Sequence, residues 1–326
     1  MPMQRRTFLT GVGAAAMAAA PLAAWSQAPA WPSRPIRLVV AFAPAGPADI
    51  IARLMAQKLT ETLGQPVVVE NRPGAGGSLA SGQVARAEPD GYTLLVNTSS
   101  YAVNPSMQRS LGFDAEKDLV LASVVASSPN LITLAPGLKA RTLKEVMEAA
   151  RSGDWNYGTA GAGTTPHLTA EYIFKVLGKV PVTHVPYQGA GPALNAAMAG
   201  QVQLASVALP AAVELVKGGR VRGLVVTGSR RSRVLPDVPT VAESGFPGFE
   251  DVTWVGVFAP GRTPDAVVQR VNREIARLQQ DHDFQAKLAA TGFEPQGGSV
   301  AESREYLRSE LAKWARVVKE TGAQAL

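Results

Sequence analysis

The stretch Leu38-Val39-Val40-Ala41-Phe42-Ala43-Pro44-Ala45-Gly46-Pro47-Ala48-Asp49 decides the fold of this chain. An apolar run is ended by a turn of Pro, Ala and Gly and is followed by the helical pattern Ile50-Ile51-Ala52-Arg53-Leu54-Met55. The stretch therefore predicts a buried strand, a tight loop and a helix N-terminus. The first-turn N–H groups and the helix dipole favour a small anion there. Because every βα unit has such a junction, the rest of the chain must support the assignment.

The same alternation of strand and helix continues along the chain. Strands are predicted at 36–40, 66–70 and 92–96, separated by helices, which is typical of an open parallel sheet. Further strands are predicted at 119–125 and 131–134, flanking Ser127-Ser128-Pro129, and at 155–159, 182–185, 202–207, 221–227 and 252–259. Two amphipathic helices, beginning at Thr263-Pro264 and at Ser299, are expected to close an α/β chain.

The N-terminus has the pattern of an export signal. Arg5-Arg6-Thr7-Phe8-Leu9 resembles the twin-arginine motif, and a weakly apolar segment with small residues near Ser26 follows it. A membrane anchor is the alternative, but the apolar segment is interrupted at Pro21 and is shorter than the roughly 20 residues that a span needs. We therefore predict a signal peptide at 1–26 and a periplasmic protein exported by the twin-arginine route.

Composition excludes several classes of function. The chain has 326 residues, a net charge of +6 and no cysteine, which excludes disulfides and thiolate metal sites. Its basic residues are scattered, apart from Arg230-Arg231 and the nearby Arg233, and aromatic residues make up 6%. A nucleic-acid surface needs clustered basic residues with interleaved aromatics, so no nucleic-acid partner is expected.

Four turns at predicted strand ends are candidates for a binding site: 43–49, 98–100, 161–165 and 186–191. In open α/β sheets, ligands bind outside the carboxyl ends of the strands. These turns offer backbone N–H groups and hydroxyls with almost no basic side chain, which suits a carboxylate held by neutral donors. The alternative is that Gly, Pro and Ser simply form turns, although four such loops together favour binding.

Enzyme motifs are absent from the sequence. Gly74-Ala75-Gly76-Gly77-Ser78-Leu79 and Gly161-Ala162-Gly163-Thr164-Thr165-Pro166 both lack the third glycine of a dinucleotide fingerprint. The three histidines, His167, His184 and His282, do not have the spacing of a zinc pair. We therefore predict no metal, no cofactor and no catalytic residue, with His167 as a candidate ligand donor at a helix start.

Asp49 has two interpretations. As a helix-start residue it can accept hydrogen bonds from first-turn N–H groups, and its position alone favours this capping role. As a site residue it would repel a carboxylate directly, so it would bind a ligand donor or waters that bridge to the ligand.

Several segments together resemble one family, the Bug-type extracytoplasmic solute receptors of tripartite tricarboxylate transport systems. The resemblance extends in order over the whole predicted mature chain. It rests on Trp31-Pro32-Ser33-Arg34-Pro35-Ile36-Arg37, the opening stretch to Asp49, Val67-Val68-Val69-Glu70-Asn71-Arg72-Pro73-Gly74-Ala75-Gly76-Gly77, Pro89-Asp90-Gly91-Tyr92-Thr93-Leu94-Leu95, Gly163-Thr164 through His167-Leu168, His184-Val185-Pro186-Tyr187-Gln188-Gly189, Leu235-Pro236-Asp237-Val238-Pro239-Thr240-Val241 and Ala312-Lys313-Trp314.

The resemblance implies a periplasmic-binding-protein fold of type II, with two α/β domains around a ligand cleft and a hinge that the chain crosses twice. Placing the crossings near Pro129 and Val252 gives a first domain of 27–129 plus 252–326 and a second of 130–251. The resemblance also implies that the first loop and the Gly-Thr helix start grip carboxylate groups, and that Asp49 organises waters. The predicted ligand-binding residues are Phe42, Ala43, Pro44, Ala45, Gly46, Asp49, Thr98, Ser99, Ser100, Gly161, Gly163, Thr164, Thr165, His167, Tyr187 and Gly189.

Two departures from the family pattern concern specificity. Ala45 stands where the first of two adjacent glycines is common, which would add a methyl group near the backbone donors. Val207-Ala208 stands where many members carry an Asp-Asn pair, so the side of the cleft near the distal end of the ligand is expected to be more apolar. For this reason the substrate of any one member is not transferred to this chain.

The sequence therefore predicts a monomeric receptor that captures a small organic carboxylate and delivers it to membrane transporter subunits. An exported cofactor-dependent enzyme is the first alternative, since the twin-arginine route carries folded proteins. The second is a receptor that presents its liganded form to a signalling partner.

Overall fold

The computed structural model describes residues 31–324, and the predicted export signal lies outside them. Ten strands within this range form one continuous sheet system with the order β2-β1-β3-β9-β4-β7-β5-β6, and β8 and β10 pair with β4 off this path. The strands are β1 Ile36–Val40, β2 Val67–Asn71, β3 Thr93–Thr98, β4 Leu119–Leu134, β5 Trp155–Thr159, β6 Val182–Pro186, β7 Leu204–Ala208, β8 Arg222–Val226, β9 Val252–Pro260 and β10 Glu294–Pro295.

Helices connect the strands and cover the sheet. They are α1 Pro47–Leu63, α2 Ser78–Ala85, α3 Ser100–Met107, α4 Leu143–Ala150, α5 Thr165–Glu171, α6 Ala190–Met198, α7 Val213–Lys217, α8 Asp265–Leu278, α9 His282–Ala290 and α10 Val300–Thr321. A π-helical segment, Tyr172–Leu177, continues α5, and short 3-10 turns lie at Ala75–Gly77 and Leu209–Ala211. Within residues 31–324, none of these helices has the length and apolar character needed to cross a bilayer.

Strand β4 joins two sheets. Up to Pro129 it pairs with β9, and from Asn130 onward it pairs with β7 and β8. The sequence prediction of two separate strands around Ser127-Ser128-Pro129 was wrong, because β4 runs through this segment without a break. Pro129 is tolerated there because β4 changes partners at this residue. The next backbone N–H of β4, that of Asn130, donates to the Thr227 hydroxyl at 2.8 Å.

The first sheet contains β1, β2 and β3 in parallel, followed by β9 and the first part of β4 in antiparallel pairing. Its core packs against α1 and the closing helices, with Ile51, Phe258 and Trp314 among its buried side chains. The second sheet contains the rest of β4 with β5, β6, β7 and β8, and two smaller apolar clusters lie on its faces. Parallel strands in both sheets place the ends of several strands, and the helices that follow them, around one region.

Besides the five-residue α7, the structure has two helices that the sequence analysis did not predict. Helix α3 begins at Ser100, inside the segment predicted as a polar loop, and contains Pro105. Helix α9 lies between the two predicted closing helices, where the Asp281 side chain accepts from the Phe284 N–H. Both are short and weakly amphipathic, so their apolar residues give no clear helical period.

Candidate functional site

The loops after β1, β3, β5, β6 and β7 surround a small cavity. Its volume is about 30 Å³. The lining residues carry no charged side chain, four of them have a hydroxyl, and the other nine have no polar side-chain atom. They are Phe42, Ala43, Gly46, Pro47, Thr98, Ser100, Ala160, Thr164, Pro166, Gly189, Ala190, Ala208 and Thr253.

Seven of the sixteen predicted ligand-binding residues line this cavity, from all four of the predicted loops. They are Phe42, Ala43, Gly46, Thr98, Ser100, Thr164 and Gly189. The other nine belong to the same loops and helix starts but do not contribute to the lining. They are Pro44, Ala45, Asp49, Ser99, Gly161, Gly163, Thr165, His167 and Tyr187.

Opposite rims of the cavity lie in close contact. A Cβ atom built on Gly76 would lie 2.5 Å from the carbonyl oxygen of Ala162, and one on Gly189 would lie 3.1 Å from the Ala43 Cβ. A Cβ atom on Gly163 would lie 2.7 Å from the Asn104 Oδ1. In each pair, one residue follows a strand of the first sheet and the other follows a strand of the second. The small cavity volume is therefore a consequence of these rims meeting.

The Asp49 carboxylate connects the loop after β1 to α1 and to the end of β2 by hydrogen bonds. The residue is 3% exposed, with Oδ2 accepting from the Ala45 N–H and from Arg53 Nε, both at 3.0 Å, and Oδ1 accepting from Asn71 Nδ2 at 2.9 Å. Burial alone would raise the pKa of Asp49, but the hydrogen bonds from Arg53, Ala45 and Asn71 outweigh it and hold the pKa below its usual value. The N-cap position is Gly46, so Asp49 acts from within the helix by reaching back to the loop.

Ala45 is held in an unusual backbone conformation. Its φ is +64°, which glycine adopts freely but which costs an L-residue about 1 to 2 kcal/mol. The residue is exposed and does not line the cavity, so the methyl group expected to crowd the backbone donors points elsewhere. The alanine at position 45, where the family commonly has glycine, therefore affects backbone strain in the loop more than contact with the ligand.

Replacing Ala45 with glycine should raise the free energy of unfolding by about 0.5 to 1 kcal/mol, because the relief of strain exceeds the added chain entropy. Urea denaturation measures this change. The matched control is Ala312→Gly at an exposed position in the middle of α10, where the same substitution should lower stability by about 0.5 to 1 kcal/mol. An Ala45→Gly protein no more stable than wild type would contradict the account of the loop.

A stacked pair of histidines lies beneath the Gly-Thr loop. The ring centroids of His167 and His184 are 3.9 Å apart, and the Gly163 N–H donates to His167 Nδ1 at 3.3 Å. His184 Nε2 lies 2.7 Å from the Thr159 hydroxyl. Glu171, which is paired with Lys175, has Oε1 4.0 Å from His167 Nε2.

The pKa values of both histidines are low. Burial lowers the pKa of His167 to about 3, and the charges of His184 and Lys175 add to this effect. Burial and the charge of Lys175 lower the pKa of His184 to about 4. Both rings are therefore neutral at pH 7, and His167 supports the loop as an acceptor.

The histidine pair predicts a loss of stability in mild acid. Each ring has a pKa near 6.5 when unfolded and a lower pKa when folded, so the unfolded chain binds more protons between these values. The stabilisation is complete above about pH 6.5 and falls by about 2 kcal/mol per ring by pH 5. Urea denaturation at pH 7 and pH 5 measures it. His184→Gln should roughly halve the loss, whereas His282→Gln, at an exposed position of α9, should not change it. Equal wild-type stability at both pH values would contradict the assignment.

A chain of buried hydrogen bonds links the cavity to a charged pair behind it. Ser99 Oγ lies 3.0 Å from Thr165 Oγ1, which lies 2.7 Å from Thr253 Oγ1, and the Thr253 hydroxyl donates to Asn130 Oδ1 at 2.6 Å. Asn130 Nδ2 then donates to Asp251 Oδ2 at 3.0 Å. We call these groups the hydroxyl relay.

The relay ends in an ion pair at the base of the two sheets. Lys313 Nζ donates to Asp251 Oδ1 at 3.0 Å and also lies 3.5 Å from Glu310, which accepts from the indole N–H groups of Trp254 and Trp314. Burial raises the pKa of Asp251, with the Lys313 ammonium opposing that rise. One lysine therefore compensates two buried carboxylates.

Six lining residues were not among the sixteen predicted ligand contacts: Pro47, Ala160, Pro166, Ala190, Ala208 and Thr253. Pro47 and Ala190 lie inside the predicted loops 43–49 and 186–191 but were not among the predicted ligand contacts, and Pro166 directly follows the predicted loop 161–165. Ala208 had been expected, with Val207, to make one side of the cleft more apolar, and Ala160 gives no chemical signal. Thr253 enters from β9, whose polar start was not among the four candidate loops.

A larger cavity of about 690 Å³ lies between α10 and residues 245–251. None of the residues that line this larger cavity lies at a helix N-terminus. We assign the ligand site to the smaller cavity because the ends of five strands converge on the smaller one. Across residues 31–324, no cluster of three or more His, Asp or Glu side chains is arranged to hold a metal ion.

The arrangement of two sheets, one shared strand and a loop-lined cavity defines a solute-binding receptor of the periplasmic-binding-protein class. Residues 51–323 match the model of the tripartite tricarboxylate transporter family receptor. The chain belongs to this family, which confirms the resemblance and the predicted fold class. Because members of this family are solute-binding receptors, the chain is a receptor and the alternative of an exported enzyme is not supported.

Relatives support the family over nearly the whole chain. Protein BugT of Bordetella pertussis is 36% identical over 312 residues, covering 94% of this chain and 95% of BugT. A solved structure described as R. palustris Rpa4515 with adipate has 35% identity and a TM-score of 0.87, covering 91% of this chain and all of that one. MatC of Rhodopseudomonas palustris, solved with bound malate, has 33% identity and a TM-score of 0.83, covering 88% and 100% of the two chains.

Proposed function

We propose that this protein is a periplasmic receptor that captures a small organic carboxylate between the two sheets. The observation that carries the proposal is the convergence of neutral donors on a cavity without charged side chains: the start of α1, the Ser100 hydroxyl and the Gly-Thr start of α5. A carboxylate fits such donors because first-turn N–H groups lack intrahelical partners and the helix dipole favours negative charge. The adipate and malate of two solved relatives support the ligand class.

We extend the proposal to the domain movement. The division into 27–129 plus 252–326 and 130–251 is supported by the exchange of partners along β4 and by the start of β9 at Val252. The contacts of Gly76 with Ala162 and of Gly189 with Ala43 describe the closed form. Closure around a ligand would exclude water and strengthen the hydrogen bonds from the loops. We propose that the sixteen predicted residues together form the site: the seven that line the cavity contact the ligand, and the others, among them Asp49 and His167, hold the loops in position.

We also propose how the protein is exported and where it delivers its ligand. Arg5-Arg6 supports the twin-arginine route, and the receptor family supports delivery to membrane transporter subunits. We infer that the receptor acts as a monomer. Native mass spectrometry of the exported protein, with and without ligand, measures the oligomeric state. A stable dimer in either form would contradict the monomer.

Thermal denaturation with a panel of solutes tests the ligand class. Carboxylates should raise the melting temperature through ligand linkage, and uncharged sugars and amines should not. At 100 times the dissociation constant the expected stabilisation is about 2.7 kcal/mol. If a neutral or cationic solute raises the melting temperature while no carboxylate does, the proposal is wrong.

A further inference from the structure

The hydroxyl relay passes between the two proposed domains. Ser99 and Thr253 belong to the first domain, whereas Thr165 and Asn130 belong to the second. The bonds from Ser99 to Thr165, from Thr165 to Thr253 and from Thr253 to Asn130 therefore each join one domain to the other. All four residues are at most 1% exposed. The relay is thus a buried set of hydrogen bonds between the domains.

The direction of these hydrogen bonds follows from Asn130. Its amide nitrogen donates to the ionised Asp251 carboxylate, which can only accept, so its oxygen faces Thr253. The Thr253 hydroxyl gives its single hydrogen to this oxygen and therefore accepts from Thr165. Thr165 in turn accepts from Ser99. The Thr165 hydroxyl is therefore held between two hydroxyls of the first domain, as donor to one and acceptor from the other.

The bonds of the relay differ in their distance from the hinge. The proposed crossings between the domains lie on β4 and β9, which pair with each other. Asn130 and Thr253 stand at these crossings, so the bond between them lies at the hinge. Ser99 follows β3, which pairs with β9 on the side away from β4. Opening about β4 and β9 would therefore separate Ser99 from Thr165 and keep the bond between Asn130 and Thr253.

Thr165 occupies the first position of α5, and the start of this helix supplies donors to the site. The residue does not line the cavity. Within the second domain, the neighbouring Pro166 carbonyl accepts from the Ser206 hydroxyl at 2.8 Å. The start of α5 is thus fixed to its own domain by Ser206 and to the first domain by the bond from Ser99. The second of these bonds holds the helix start in place over the cavity while the domains are closed.

We propose that the hydrogen bond between Ser99 and Thr165 is a latch of the closed form. Both are positioning residues, which raise the affinity for the carboxylate without contacting it. In the open form water satisfies both hydroxyls, so the bond contributes to ligand binding and not to the stability of the open form. The inference rests on the proposed function, since it assigns how closure around the same cavity is held.

The variant Ser99→Ala tests the latch by removing its donor and leaving the Thr165 hydroxyl bonded to Thr253. Isothermal titration of wild type first identifies the acid that binds most tightly among acetate, benzoate, malate, adipate and citrate. This acid should bind about fivefold more weakly to Ser99→Ala and about tenfold more weakly to Thr165→Val, which loses two hydrogen bonds. Thr165→Ser keeps the hydroxyl and should bind within about twofold of wild type.

Stopped-flow fluorescence separates a latch from a general loss of structure. The ligand meets the open form, in which the latch is not made, so the dissociation rate constant should rise and the association rate constant should not change. The matched control is Thr133→Val. The Thr133 hydroxyl is buried and donates to the Ala205 carbonyl at 3.2 Å, within the second domain. This control should lose stability and keep both rate constants.

Unchanged affinity in both Ser99→Ala and Thr165→Val would overturn the latch and leave the proposed function intact. An equal loss of affinity in Thr133→Val would also overturn the latch, because that hydroxyl does not join the domains. If Thr165→Val does not fold, Ser99→Ala still decides the question. A wild-type protein that binds none of the five acids would overturn the proposed function and the latch with it.

Discussion

A Gly76→Ala protein is expected to bind its carboxylate about 30-fold more weakly than wild type. The added methyl would lie 2.5 Å from the Ala162 carbonyl oxygen, and a clash with backbone is not relieved by a change of rotamer. Overpacking of this kind costs about 2 kcal/mol. In the domain movement that we propose, the two rims separate when the cleft opens, so the cost would fall on the closed form alone. Isothermal titration with the carboxylate that raises the melting temperature most measures the effect.

The matched control for Gly76→Ala is Gly112→Ala. Gly76 has a φ of +62° and Gly112 a φ of +69°, so both substitutions add a similar backbone strain. Nothing lies within 4 Å of a Cβ atom on Gly112, whereas Gly76 meets the opposite rim. Both variants should lose similar stability, and only Gly76→Ala should lose affinity. Equal affinity in the two variants would mean that ligand binding does not require this contact.

We expect Lys313→Met to lower the free energy of unfolding by about 3 kcal/mol relative to wild type. The substitution removes the cation that compensates Asp251 and Glu310, both buried, and leaving a buried charge without a partner is costly. Urea denaturation at pH 7 measures the loss. The deficit should shrink as the pH is lowered, because protonation neutralises the carboxylates that lost their partner.

The exposed pair of Lys144 and Glu148 provides the control for Lys313→Met. Their charged atoms are 3.9 Å apart, and the side chains are 82% and 61% exposed. Lys144→Met should therefore change stability by less than about 0.5 kcal/mol. A second comparison combines Lys313→Met with Asp251→Asn, which should recover part of the loss because one buried charge is removed. Similar small losses for Lys313→Met and Lys144→Met would contradict the role of the ion pair.

Local sequence patterns were sufficient where strands and helices have a clear period. The opening strand, predicted at 36–40, is β1 Ile36–Val40, and the turn after it leads into α1. The prediction was wrong at Pro129 because a proline normally ends a strand, whereas here it lies where β4 exchanges partners, and this is a property of the tertiary fold. Helix α3 was missed because its Ser-rich start and Pro105 suggest a loop.

The candidate site was predictable where glycine, serine and threonine follow strands. Ala208 was expected in the cleft because the resemblance places Val207-Ala208 there, whereas the contribution of Ala160 was not predictable, since it lines the cavity only through the position of its strand. Nor does the sequence indicate that Lys313 and Asp251, 62 positions apart, form an ion pair or that Thr253 reaches the cavity. These relations depend on the return of the chain through β9.

Calorimetric titration of one ligand and its neutral analogue tests the central claim most directly. The carboxylate that raises the melting temperature most is compared with its primary amide, which has the same shape and no charge. The account predicts one bound carboxylate per chain and at least 100-fold weaker binding of the amide, since the loop donors and helix dipoles act on the charge. Equal affinity for the acid and the amide would contradict it.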